Sequence, residues 1–245
     1  MPRYAMVIET ERCVGCQSCT VACKSEWGVP ERNARTRVSQ TGTRGVFPNL
    51  TTTFHVSQCN NCDKPTCVPA CPTGATFQAD DGTVQVNRGL CIGCGSCVAA
   101  CPYGARYVNS EIGKVDKCDF CSPRLARGLQ PACVETCPGK AKIFGDLQDP
   151  SSHVFKLVYH DGARRSEKAG LPLGPNVYYT GKQEKVDLEL ATFTPGEPRT
   201  IAAAAVWTSV AKKLVYLAVT ATFLGQAVAF FHQLATGEKQ FEEHP

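Results

Sequence analysis

No Walker loop and no GxGxxG run occurs in the 245 residues, and no nucleophile–base pair is evident. Phosphoryl transfer, dinucleotide-dependent hydride transfer and covalent hydrolysis therefore lack their usual apparatus. Lys and Arg form no long block and the net charge is only +4, which argues against nucleic acid as a partner. Between residues 13 and 138 there is no long apolar helix or strand pattern; short polar segments rich in Gly, Pro and Asn fill that region. Little of that region can build an ordinary core. Metal binding would have to supply much of its folding energy, because ligand bonds formed during folding become part of the folding free energy.

What the chain does have is cysteine, sixteen in all. CIGCGSCVAACP places Cys91, Cys94 and Cys97 at two-residue intervals, then Cys101 and Pro102. A single tetrahedral zinc is usually met by two separated CxxC-like pairs. Three thiols on one short loop with a fourth carried away is instead the C-x2-C-x2-C-x3-C-P run of two-cluster ferredoxins, whose last cysteine serves the other cluster. CVGCQSCTVAC repeats that spacing with Cys13, Cys16, Cys19 and Cys23. CNNCDKPTCVPACP gives Cys59, Cys62, Cys67 and Cys71 with a longer middle gap, and the fourth motif gives Cys118, Cys121, Cys133 and Cys137. Four quartets with no thiol left over match four [4Fe-4S] clusters. A disulfide framework is sterically awkward for such dense CxxC groups. Four zinc knuckles are opposed by the twice-repeated three-thiol loop and by the prolines after three of the final cysteines.

The local patterns predict an α+β fold of two ferredoxin-like units spanning residues 1–145. Ser18 to Trp27 and Ser96 to Ala105 read as helices carrying the fourth ligand, the latter ended by Pro102. Thr83 to Gly89 reads as a hairpin strand. Arg32, Arg35, Arg37 and Arg44 read as a solvated loop, with a docking surface for a partner as the alternative. Residues 146–200, dotted with prolines and without a sustained period, read as an extended connector or partner-binding segment. Residues 201–237 read as an amphipathic stretch leading into a transmembrane helix over about 214–235, before the polar tail 238–245. Leu214 to Gly237 carries no formal charge, and that length of helix spans a hydrocarbon core of about 30 Å at about 1.5 Å per residue. A docked C-terminal helix is the alternative. Thr220, Thr222, Gln226, His232 and Gln233 suggest an intramembrane partner helix, and His232 is a candidate haem contact there, although an interfacial role suits its position better.

YAMVIETERCVGCQSCTVAC, CNNCDKPTCVPACPTGA, CIGCGSCVAACPYGARY and KCDFCSPRLARGLQPACVETCP together resemble the electron-transfer iron-sulfur subunit of the complex iron-sulfur molybdoenzymes. That group includes subunits of membrane formate dehydrogenase and of polysulfide, thiosulfate, tetrathionate, arsenate and dimethyl sulfoxide reductases. The terminal helix resembles that of the formate dehydrogenase subunit. The resemblance implies crossed ligation. Cys13, Cys16, Cys19 and Cys137 would hold one cluster; Cys118, Cys121, Cys133 and Cys23 its neighbour. Cys59, Cys62, Cys67 and Cys101 would hold a third, and Cys91, Cys94, Cys97 and Cys71 the fourth. Pairing of adjacent motifs stays open on spacing alone. The resemblance further implies a wire without its own active site, joining a molybdopterin-family large subunit to a multi-helix quinone-binding membrane subunit. A cytochrome-fed quinone reductase complex lacking molybdenum chemistry and a stand-alone polyferredoxin are the rival readings. MPRYAM begins no signal-peptide pattern, and Lys212 and Lys213 before the span favour a cytoplasmic cluster domain. The family instead implies folded export beside a catalytic partner, and the expectation is clusters on the periplasmic face of the cell membrane.

Overall fold

The computed structural model describes residues 1–40, 43–165, 167–168, 170–182 and 203–236; the side chains of 44, 203–216 and 219 are outside that description. The chain divides into a cluster-bearing unit and a separate C-terminal helix.

The first unit is hung on one central strand. β1 (Tyr4–Glu9) pairs antiparallel with β10 (Lys142–Asp146) and parallel with β12 (Val177–Thr180), which pairs antiparallel with β11 (Arg164–Arg165). Ala5, Met6, Val7 and Ile8 are all buried, two facing each side. Met6 and Ile8 join Val56, Phe120, Val177 and Tyr179 in a core that also contains cysteines; Ala5 and Val7 pack on Val154, Leu157 and Tyr178. The strand that precedes the first cysteine motif thus lies in register beside the strand that follows the fourth, Ile8 opposite Lys142.

The remaining strands form two-stranded hairpins: β2 (Thr36–Gln40) with β5 (Phe54–Gln58), β3 (Arg44–Val46) with β4 (Asn49–Thr51), β6 (Thr76–Gln78) with β7 (Val84–Val86), and β8 (Arg106–Asn109) with β9 (Lys114–Lys117). The Thr83 to Gly89 strand expectation is therefore met by β7. α1 (Ser18–Trp27) agrees with the sequence reading, and Gly28 closes it in the left-handed conformation that a glycine adopts without a Cβ penalty. α2 (Ser96–Ala99) is a single turn, so Cys101 lies beyond the helix rather than on it, and the helix stops before Pro102 can act. A proline disfavours helical geometry in the residue before it, which here is Cys101. α3 (Ser122–Leu125) and α4 (Ala132–Glu135) are likewise single turns.

The connector expectation for 146–200 is corrected through Thr180. This segment contributes α5 (His153–Tyr159), β11 and β12, and the boundary at 145 cuts a continuous sheet. The reason is physical: Val177, Tyr178 and Tyr179 are buried on both faces, so the strand shows no alternation. Residues 183–200 lie outside the described residues. α6 (Ala203–Thr236) is a helix of 34 residues. The span expected over 214–235 begins on side chains outside the description, and among the described residues no helix is long and apolar enough to cross a membrane.

Candidate metal centres

None of the sixteen cysteines is joined in a disulfide. Their loops share one device. The residue before the second cysteine of every motif has positive φ: Gly15 at 69°, Asn61 at 43°, Gly93 at 70° and Phe120 at 55°. A left-handed residue flanked by ordinary ones turns successive N–H groups toward one side, the arrangement that favours anions. Glycine is required at two of these positions. A Cβ at Gly15 would stand 2.4 Å from the Phe54 ring, and one at Gly93 would stand 2.1 Å from the Gly113 carbonyl oxygen.

Cys13, Cys16, Cys19 and Cys137 line one small pocket, with Val38, Val56 and Lys142 among its walls. α1 packs against α4, so Cys19 and Cys23 on α1 meet Cys133 on α4. Burial pushes the Cys23 thiol up to about 12, helped by Cys133 and Cys121 and opposed by Arg35 and Lys142. Cys118, also raised first by burial, feels Cys23 and Cys133. In the other half, Cys62 is raised by burial and then by Cys59, Cys101 and Cys67. Cys67, Cys91 and Cys97 are buried together with Cys71 packed against them, and Cys71 acts on Cys94. Burial works against ionisation of Cys71, but the Thr76 N–H and the Thr73 hydroxyl outweigh it and bring the thiol down to about 7. Among the described residues no three His, Cys, Asp or Glu side chains converge tightly enough for a single metal ion.

Backbone and ring N–H groups point at sulfur: Ala141 N to Cys137 Sγ at 3.3 Å, Thr76 N to Cys71 Sγ at 3.4 Å, Val115 N to Cys91 Sγ at 3.5 Å and Trp27 Nε1 to Cys121 Sγ at 3.4 Å. Such bonds stabilise added negative charge on a cluster and raise its potential. Trp27 is held by Arg35, whose guanidinium sits 4.6 Å above the ring. Arg35 in turn grips Asp116 (2.6 and 3.2 Å) and reaches Asp119, while Tyr107 donates to Asp116 at 2.7 Å. Of the arginines read as a solvated loop, Arg35 is therefore a correction: it is buried and paired, a role invisible without its partners far along the sequence. Arg32 and Arg37 are exposed, and the side chain of Arg44 lies outside the described residues.

The donor set fits iron-sulfur clusters on a second ground. Arg106, Lys117 and Lys142 are all buried, yet among the described residues none pairs with a carboxylate. Arg106 leaves Nε and one terminal nitrogen without an acceptor. Buried cations need anions, and orphaned N–H donors need acceptors. Anionic clusters with sulfide acceptors supply both. Sequence reasoning located the thiols but missed these cations; for Arg106 and Lys142 the signal was a cation five residues after the last cysteine of the third and fourth motifs.

A protein of this construction, thiol quartets embedded in hairpins around one sheet, is a polynuclear iron-sulfur electron carrier. Models of the 4Fe-4S dicluster domain match residues 6–75 and 50–147. A tetrathionate reductase subunit of Salmonella typhimurium is 45% identical over 181 residues, covering 73% of this chain and 72% of the relative. Protein NrfC of Escherichia coli K12 is 42% identical over 178 residues (72% and 79%), and a polysulfide reductase polypeptide of Wolinella succinogenes 44% over 159 residues (64% and 83%). The chain belongs to this family of 4Fe-4S dicluster iron-sulfur subunits, and its cofactors are four [4Fe-4S] clusters.

His232 on α6 is exposed.

Proposed function

We propose that the chain is the electron wire of a respiratory reductase complex, passing single electrons between a molybdopterin-family catalytic subunit and a quinone-reactive membrane subunit. The observation that carries this reading is the graded exposure of the quartets. Cys16 and Cys94 are exposed, while every cysteine of the Cys118 motif except Cys137 is buried, as are Cys59, Cys62 and Cys67. Beside the exposed thiols stand uncovered apolar residues, Val14 near Cys16 and Leu90 and Ile92 near Cys94. Two ends of a wire that meet other subunits need this combination of accessible cluster and dockable surface. The β3–β4 hairpin adds Val46, Phe47 and Leu50, all exposed.

Ligation is crossed in this reading, first motif with fourth and second with third. The pairing of β1 with β10, the shared cavity of Cys13, Cys16, Cys19 and Cys137, and the mutual influence of Cys59, Cys62, Cys67 and Cys101 support it. When bound, the clusters supply one-electron chemistry. The protein's own part is to hold them close, dry them with residues such as Val38, Val56 and Val115, and donate N–H bonds to their thiolates. It supplies no substrate position of its own.

Relatives named as tetrathionate, polysulfide and selenate reductase subunits point to a catalytic partner that reduces an oxidised sulfur or selenium compound. The test is purification of the intact complex from membranes. A molybdenum-containing large subunit should copurify, quinol should reduce the clusters, and the large subunit's substrate should reoxidise them. A preparation free of molybdenum, with a multihaem cytochrome in its place, would overturn the catalytic assignment; a monomer that needs no detergent would overturn the wire.

α6 is the membrane anchor in this proposal. Support comes from the uncharged run Leu214 to Gly237 and from exposed Leu217, Phe223, Leu224, Val228, Phe230 and Phe231 on the helix. Lipid or a partner helix would cover them. The cluster unit faces the periplasm, since large domains translocate largely regardless of two flanking lysines. Protease added to intact spheroplasts should remove the cluster unit. Digestion confined to the EKQFEEHP tail would place the clusters in the cytoplasm.

A further inference from the structure

We infer that Lys142 and Arg106 are equivalent positioning residues, each a buried counter-charge shared by the two clusters of one pair. The inference rests on the crossed ligation proposed above. Both residues occupy the same place in a repeated turn. Cys137-Pro138-Gly139-Lys140-Ala141-Lys142 and Cys101-Pro102-Tyr103-Gly104-Ala105-Arg106 each put a cation five residues after the cysteine that crosses to the other motif. The turn occurs a third time as Cys71-Pro72-Thr73-Gly74-Ala75-Thr76, where the equivalent residue is neutral. That residue is used by its counterpart: Arg106 donates to the Thr76 hydroxyl at 3.1 Å.

Among the described residues neither cation is paired with a carboxylate. Lys142 Nζ donates to Thr36 Oγ1 at 3.0 Å and to Gln58 Oε1 at 2.8 Å, both uncharged acceptors, and an ammonium has a third donor to place. Lys142 also borders the pocket lined by Cys13, Cys16, Cys19 and Cys137. Arg106 spends one nitrogen on Thr76 and leaves two buried nitrogens without an acceptor. Each cation lies beside two quartets. Lys142 opens β10 five residues after Cys137 of one quartet, and α4, which carries Cys133 of the neighbouring quartet, packs against β10. Arg106 follows Cys101 of one quartet by five residues, and the Thr76 whose hydroxyl it reaches gives its own N–H to Cys71 Sγ of the other quartet at 3.4 Å.

The consequence is electrostatic. Reduction adds a negative charge to a cluster, and a fixed cation in a low-dielectric interior stabilises that charge far more than an exposed one would. A cation within reach of two clusters lifts both potentials together, so the electron does not become trapped on one of them. Hydrogen bonds to sulfur tune clusters one at a time; the shared cation tunes them in pairs.

The experiment is a potentiometric titration followed by electron paramagnetic resonance, on the complete complex, with iron content measured alongside. Lys142→Gln keeps a donor near Thr36 and Gln58 but removes the charge. It should lower two of the four midpoint potentials, those of the Cys13 and Cys118 clusters, and leave the other two in place. Arg106→Gln should do the reverse. Lys142→Arg should restore the parent potentials. Retention of all four clusters with no shift, or a shift of only one, would overturn the inference. If Lys142→Gln loses clusters, Lys142→Arg decides: cluster retention at parent potentials supports the charge, and equal loss in both variants refutes it. The ligation scheme is judged separately by Cys137→Ala, which disturbs the Cys13 cluster if ligation is crossed, whatever the potentials do.

Discussion

Removing iron by chelation is expected to unfold the cluster-bearing unit, with loss of far-ultraviolet dichroism tracking loss of iron. The core explains why. Cys19, Cys59, Cys62, Cys118 and Cys133 belong to the same buried cluster as Met6, Ile8 and Tyr179, and Cys67, Cys91 and Cys97 to another with Val84 and Val115. Emptying the ligand spaces leaves these thiols lining voids. Local structure cannot compensate: α2, α3 and α4 are four-residue turns, well below the length at which a helix is stable alone. The decisive term is charge. Lys142, Lys117 and Arg106 would remain buried, and among the described residues Lys117 Nζ has only Asn61 Oδ1 and the Cys118 carbonyl as acceptors. Leaving a buried charge without its counter-ion costs about 3–5 kcal/mol. Three of them reach the whole net stability of an ordinary domain, about 5–15 kcal/mol. An apo protein that kept native dichroism and melted cooperatively would contradict this account.

The cluster half of the fold was legible because its information is local. Thiol spacing is a property of adjacent residues, and Gly15 and Gly93 mark turns that a Cβ would block. The sheet was not legible for the opposite reason. β1 and β12 lie side by side, so their residues are buried on both faces and carry no alternation, and their pairing joins residues 6 and 177 across the whole cysteine region. Arg35 shows the same limit: among other arginines it reads as solvated, and only the fold brings Asp116 to it. α5 is too short for its two buried residues, Val154 and Leu157, to reveal a period. The buried cations fell between these cases, visible as a repeated turn but meaningful only once burial is known.

Cys137→Ala should remove or convert the cluster built on Cys13, Cys16 and Cys19, one of four, while the cluster built on Cys118, Cys121 and Cys133 keeps its four thiolates. The alternative, pairing of adjacent motifs, would give the first cluster Cys71 instead. Several observations weigh against that. Cys71 packs with Cys67, Cys91 and Cys97 and acts on Cys94. Cys137 borders the cavity of the first motif, and the Ala141 N–H reaches its sulfur. The turn is then fixed on both sides: β10 begins at Lys142 and pairs with β1, and a Cβ on Gly139 would meet the Arg12 carbonyl at 2.4 Å. This tight approach brings the segment after the fourth motif onto the loop that opens the first. Substitution at Cys137 should therefore be felt far away in sequence and close by in space. Mössbauer and paramagnetic resonance spectra of the reduced variant should lack one cluster signal together with its coupling to the Cys118 cluster. If the Cys118 signal alone changes and the Cys13 cluster keeps its parent spectrum, ligation is not crossed.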